Sequence, residues 1–143
     1  FNELEIGKGQ CLKQGSHIAV LSIGHIGNTV SKAIDTTSNS SAVAHFDMRY
    51  LKPIDSELLH TVFSKYKTII TVEDGTIVGG LGSTISSFMN KNGYKSQIIS
   101  LGIPDNFIEH GEPDELYREC GIDSESIAAT IEKCIKDIAV ANA

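Results

Sequence analysis

Between Lys67 and Met89 the chain reads KTIITVEDGTIVGGLGSTISSFM, and this stretch limits what the rest can be. Thr68–Val72 is a short β-branched run of the kind that suits a strand covered on both faces, and it stops at Glu73-Asp74-Gly75. Past a loop, Gly79-Gly80-x-Gly82 leads into Leu81, Ile85, Phe88 and Met89, whose spacing predicts one apolar face of a helix. Ser83, Thr84, Ser86 and Ser87 are mediocre helix formers, so packing of that face must hold the helix. A buried strand, a glycine-rich loop and a helix in succession form the repeating unit of an α/β sheet.

The remainder of the chain supplies further units of this kind. Gly9–Lys13 alternates weakly and reads as an edge strand, closed by the turn Gln14-Gly15-Ser16. His17–Ile23 is a buried strand, and Gly24-His25-Ile26-Gly27-Asn28 turns it into a helix with an apolar stripe of Ile26, Val30, Ala33 and Ile34. Ala42–Phe46 makes the next strand. Pro53 pushes Lys52 out of helical geometry, and Asp55 offers an N-cap to a helix carrying Leu58, Leu59, Val62, Phe63 and Tyr66. After the central unit come a stop at Asn92-Gly93 and a last strand, Gln97–Leu101. An irregular segment from Gly102 to Gly111 then leads to a short helix with Pro113 at N1 and Gly121 at C′. Asp123 caps a final helix whose stripe is Ile127, Ile131, Cys134, Ile135 and Ile138.

At 143 residues the chain is the size of one domain, able to bury about 68–70% of its unfolded surface. Residues 1–8, which begin at Phe1 and carry no turn signal or capping box, read as the remnant of an interdomain linker, and 9–143 as the domain. A net charge of −6 with no basic stripe argues against nucleic acid. No apolar run reaches the length of a membrane span and no basic n-region is followed by an apolar stretch, which argues against a signal peptide, so a cytoplasmic location is the expectation. Cys11, Cys120 and Cys134 form no C-x-x-C pair, and they read as small apolar fillers on a strand and two helices.

Glycine-rich turns into helices invite a phosphate reading, because amides at a helix N-terminus attract anions. The residues needed to complete such a site are missing. Leu81 and Gly82 stand where a P-loop needs Lys and Ser/Thr, and Gly24-x-x-Gly27 lacks the first glycine of a dinucleotide fingerprint, although Asp47 lies at a suitable distance for a ribose hydroxyl. Glu73 and Asp74 could serve acid-base or metal chemistry, but paired carboxylates before a glycine more often solvate a turn or accept amide hydrogen bonds. His25 and His110 sit in glycine-bounded loops where a functional histidine is plausible, whereas His17, His45 and His60 read as strand edges or helix surface. No nucleophile motif appears, and the residues outline a domain without a complete active site.

Several segments, spread over Glu5 to Lys136, carry a resemblance. Glu5-Ile-Gly-Lys-Gly9, Asp47-Met-Arg-Tyr-Leu-Lys-Pro-Ile-Asp55, and Thr71-Val-Glu-Asp-Gly75 with Gly79-Gly80-x-Gly82-Ser83 resemble the carboxy-terminal domain of the 1-deoxy-D-xylulose 5-phosphate synthases. These are thiamine-diphosphate enzymes of the transketolase group. The same segments occur more loosely in the β subunits of 2-oxo acid dehydrogenases. Pro104-Asp-Asn-Phe-Ile-Glu-His-Gly111, and Gly121-Ile-Asp123 followed by Ile127-Ala-Ala-Thr130, resemble the synthases and not the dehydrogenases.

The resemblance implies a three-layer α/β/α fold around a five-stranded mixed sheet of order 1-3-2-4-5, with strand 1 antiparallel. It places the loops at Gly24–Gly27 and Glu73–Gly82 side by side at the switch point of the sheet. It implies a parent transferase that joins pyruvate, with loss of carbon dioxide, to glyceraldehyde 3-phosphate, and so feeds isoprenoid and thiamine synthesis. Thiamine diphosphate and magnesium would be held by the earlier domains of a homodimer. No G-D-G thiamine motif occurs here, so the fragment is expected to bind no cofactor, to supply no catalytic residue and to serve subunit association. The candidate interface or crevice comprises Gly24, His25, Gly27, Glu73, Asp74, Gly75, Gly79, Gly80, Gly82 and His110, with Gly80 expected to lie against an approaching partner. The alternatives are the docking domain of a 2-oxo acid dehydrogenase β subunit and a free-standing dinucleotide-binding module.

Overall fold

The structure is a computed structural model that describes residues 3–105 and 111–142. Its strands are β1 (Gln10–Lys13), β2 (Ile18–Ile23), β3 (Val43–Asp47), β4 (Thr68–Thr76) and β5 (Gln97–Ile103). Its α-helices are α1 (Ile26–Asp35), α2 (Ser56–Lys65), α3 (Leu81–Lys91), α4 (Pro113–Glu119) and α5 (Ser124–Ala141). They build a five-stranded sheet of order β1-β3-β2-β4-β5 in which β1 alone runs antiparallel to its neighbour. This is the expected topology, with the weakly alternating first strand at an edge.

Burial on both faces explains why the central strands read as continuous apolar runs. Along β2, Ile18 and Val20 point into one core with Ile70, Val72 and the stripes of α1 and α5, while Ala19 and Leu21 point into the other with α2 and α3. Each fully buried Ile or Leu of these runs contributes about 1.5–3 kcal/mol through removal from water. Asp55 caps α2 as expected, its side chain accepting from the Leu58 amide. Pro113 opens α4, and Gly121 follows it at φ +73, also as expected.

Five local readings change. The central strand does not stop at Val72 but continues to Thr76, its pairing with β5 shifting between Val72 and Thr76. Glu73 still pairs with Ile23 of β2, and the Ile77 amide bonds to the Ile103 carbonyl, so backbone pairing outlasts the apolar run. Tyr66 lies just beyond α2 and is buried, its hydroxyl donating to the Gly15 carbonyl at 2.9 Å. Asp123 precedes α5 without a side-chain cap, and the first turn closes through its carbonyl. His45 is interior rather than peripheral, 1% exposed, because β3 is flanked by β1 and β2 and covered by α1. Of the cysteines, Cys11 lies on β1 and Cys134 is buried on α5, while Cys120 follows α4 instead of lying within it.

Candidate functional site

β2 connects outward to β3 and β4 connects outward to β5, so their adjacent carboxyl ends form the switch point at which open α/β sheets make a crevice. Gly24, at φ +81, turns the chain from β2 into α1, and His25 stands at the N-cap of α1 with its ring 71% exposed. Opposite, Asp74, near the carboxyl end of β4, places Oδ2 at 3.1 Å from His25 Nε2. Tyr117 of α4 closes the group, its hydroxyl donating to the same Oδ2 at 2.7 Å and lying 3.5 Å from His25 Nε2. That bond, with burial and the charges of Asp74 and Asp114, raises the Tyr117 pKa and keeps the phenol protonated. Two residues expected at the crevice therefore meet there. Tyr117 was missed, because an aromatic in a short helix far along the chain carries no local sign of its partner.

Glu73, adjacent to Asp74, points the other way. It is 5% exposed, and its two oxygens accept the amides of Leu81 and Gly82, each at 2.9 Å. The buried carboxylate thus occupies the N-terminus of α3, where the exposed amides and the helix dipole favour negative charge. Of the two roles weighed for this carboxylate, amide acceptance is the one observed, and the anion position that a phosphate would want is filled from within.

The glycines divide along the same line. A Cβ on Gly24, Gly75 or Gly79 would meet nothing within 4 Å, so these three border open surface. A Cβ on Gly80 would lie 1.8 Å from Glu73 Oε1 and 2.7 Å from the Thr76 carbonyl. The expected close approach at Gly80 exists, but the approaching group is the chain's own Glu73. Gly82 is likewise interior, where a Cβ would press on Ser100 and Thr71, and Gly27 lies in the first turn of α1, where a Cβ would come within 3.2 Å of the Ser22 hydroxyl. His110 lies outside the described residues.

Behind Gly27 is a buried polar pair that the sequence reading overlooked. Ser22 Oγ and His45 Nε2 are 2.7 Å apart, and Ser31 Oγ stands 3.3 Å from His45 Nδ1. Ser22 is 0% exposed, and among the described residues no carboxylate orients the imidazole, so the pair lacks substrate access and, within those residues, the third member of a nucleophilic triad. Alternation of Ser22 and His45 within apolar strands was the available signal. Burial pushes the His45 pKa down to about 4, with the charge of Asp47 partly opposing. Below the ordinary histidine value of about 6.5 the unfolded chain binds the proton first, so stability should fall as pH drops from about 6.5 to about 4. The expected loss from this residue is on the order of 2 kcal/mol by pH 4.5. Urea denaturation at several pH values checks it: His45→Gln should flatten the acid limb, and an unchanged limb refutes the assignment.

Among the described residues no cluster of three or more His, Cys, Asp or Glu side chains could hold a metal ion. Burial, together with Glu119 and Asp74, raises the Cys120 thiol pKa, which disfavours a thiolate beside the crevice. No described helix is long and apolar enough to cross a membrane.

The family model described as "Transketolase, C-terminal domain" matches residues 7–127. The chain is 55% identical over 133 residues to a 1-deoxy-D-xylulose-5-phosphate synthase of Cytophaga hutchinsonii and 54% identical over 131 residues to that of Parabacteroides distasonis. These alignments take in 92% and 91% of this chain but 21% of each relative, so the chain spans about a fifth of their length. Among solved structures, "Split gene transketolase, inactive beta4 tetramer" aligns with a TM-score of 0.83 at 27% identity, covering 92% of this chain and 43% of that one. A transketolase from Leishmania mexicana shares the fold at a TM-score of 0.62 and 15% identity, over 87% of this chain and 17% of its own.

Proposed function

The chain belongs to the transketolase C-terminal domain family, and on that premise we propose that it is the carboxy-terminal domain of a 1-deoxy-D-xylulose-5-phosphate synthase. The observation that carries this reading is the 55% identity to such a synthase across nearly the whole chain. The parent transferase joins pyruvate to glyceraldehyde 3-phosphate with release of carbon dioxide, an early step toward isoprenoids and thiamine, as a cytoplasmic homodimer. Thiamine diphosphate, bound with magnesium, supplies the carbanion chemistry of that reaction from the earlier domains.

The residues of this chain do not fit that cofactor. Glu73 already takes up the leading amides of α3, and no described metal cluster is available for a diphosphate-bound ion. The domain's part is to support subunit association, presenting the open surface of Gly24, His25, Asp74, Gly75 and Gly79 to the earlier domains or to a second subunit. The sequence around Glu109-His110-Gly111 favours this over a dehydrogenase docking domain.

A hybrid enzyme tests the proposal. When this chain replaces the corresponding domain of the Cytophaga hutchinsonii synthase, the hybrid should assemble and turn over pyruvate and glyceraldehyde 3-phosphate. A folded hybrid without turnover would count against the synthase reading. The isolated chain should give no saturable calorimetric signal with thiamine diphosphate and magnesium. Saturable binding of that cofactor would sink the non-catalytic role, and saturable binding of NAD would favour a dinucleotide module.

A further inference from the structure

One buried carboxylate joins the amino-terminal segment to the body of the domain. Asp55 is 6% exposed, and its oxygens serve two elements: Oδ1 accepts the Leu58 amide at 3.0 Å, and Oδ2 accepts the Gly9 amide at 2.9 Å. The fit around the second bond is close. A Cβ on Gly9 would lie 2.6 Å from Leu58 Cδ2 and 3.0 Å from the Asp47 carbonyl, so a larger residue could bring its amide to Asp55 this way only if the Leu58 side chain and the Asp47 backbone gave way. Between Gly7 and Gly9, Lys8 Nζ meets Glu57 at 2.6 Å, an exposed pair that adds little.

We infer that Asp55 is a positioning residue that clamps Gly7–Gly9 onto the start of α2, so that the segment meets the sheet in a set direction instead of acting as a free tether. An ionised carboxylate can accept both amides at once, and charge-assisted bonds to a buried acceptor are stronger than ordinary ones. β1 begins at Gln10, directly after the clamp, so the same bond registers the edge strand against β3. A domain preceding this one would be held at a fixed orientation. That consequence rests on the synthase reading, whereas the clamp itself does not.

Residue-resolved amide exchange of this chain tests the clamp, with Asp55→Asn and Asp55→Ser compared to the wild type. Both substitutes still offer an oxygen to cap α2, but neither supplies a second oxygen for Gly9. Exchange at the Gly9 amide should accelerate about tenfold or more in both, while amides from Leu59 to Phe63 keep their protection. Unchanged Gly9 exchange overturns the clamp, as does loss of α2 protection in step with Gly9, which would reduce Asp55 to a helix cap. In the hybrid synthase, assayed well below the melting temperature so that the domain stays folded, the two variants should lower turnover. Unchanged turnover beside a released Gly9 would refute the coupling to the preceding domain, and an inactive hybrid carrying the wild-type domain would instead refute the synthase reading.

Discussion

Gly80→Val should cost the isolated domain about 3 kcal/mol or more of folding stability. The first side-chain carbon would stand 1.8 Å from Glu73 Oε1, so the carboxylate must leave its place or the loop must move. If Glu73 leaves, the Leu81 and Gly82 amides lose their acceptor and a charge that is 5% exposed is left without donors. Both losses fall on buried groups, where an unmade hydrogen bond carries the full desolvation penalty. Gly75→Ala is the control, because a Cβ there meets nothing within 4 Å, and it should shift stability by no more than about 0.5 kcal/mol. Urea denaturation of both variants decides the matter: equal midpoints would show that Glu73 is not what excludes a side chain at Gly80. The expectation that Gly80 mainly accommodates a partner is thereby replaced, since the variant should damage the domain before any assembly is at issue.

Ile131→Ala should destabilise the domain by about 2–5 kcal/mol. Ile131 is 0% exposed on α5, in the core shared with α1 and the β2 and β4 residues Val20, Ile70 and Val72. Removal of its outer carbons loses transfer free energy and leaves a cavity that two packed helices and a sheet can only partly close. Ser126→Ala, off the buried stripe of the same helix, should stay within about 0.5 kcal/mol. Chemical denaturation of the pair provides the check, and equal effects would mean that the buried face of α5 is misassigned.

At the candidate site, His25 and Asp74 were each recognisable from their loops, and so was the general suitability of a carboxylate near the glycines for accepting amides. Their specific partners were not. Tyr117 bonds to Asp74 across 43 positions of chain, and His45 bonds to Ser22 across 23, so neither pair leaves a mark within one element. The opposite directions of Glu73 and Asp74 were also hidden. Adjacent residues of a strand face opposite sides of the sheet, and only the placement of α3 on one side made that side an amide-lined interior.

What the sequence by itself determined is the order and kind of the elements: β-branched runs buried on both faces, helical stripes of period 3.6, and glycine or proline at their ends. Each of these signals reports how one segment is solvated, which is a local property. The tertiary structure alone decided that Glu73 fills the anion position of α3, that His45 is interior and held neutral, and that Asp55 ties Gly9 to α2. Those outcomes depend on which polar group is brought within hydrogen-bonding distance of which other after the layers have packed. Burial penalises every unpaired donor and acceptor, so packing, and not the local pattern, selects the pairs.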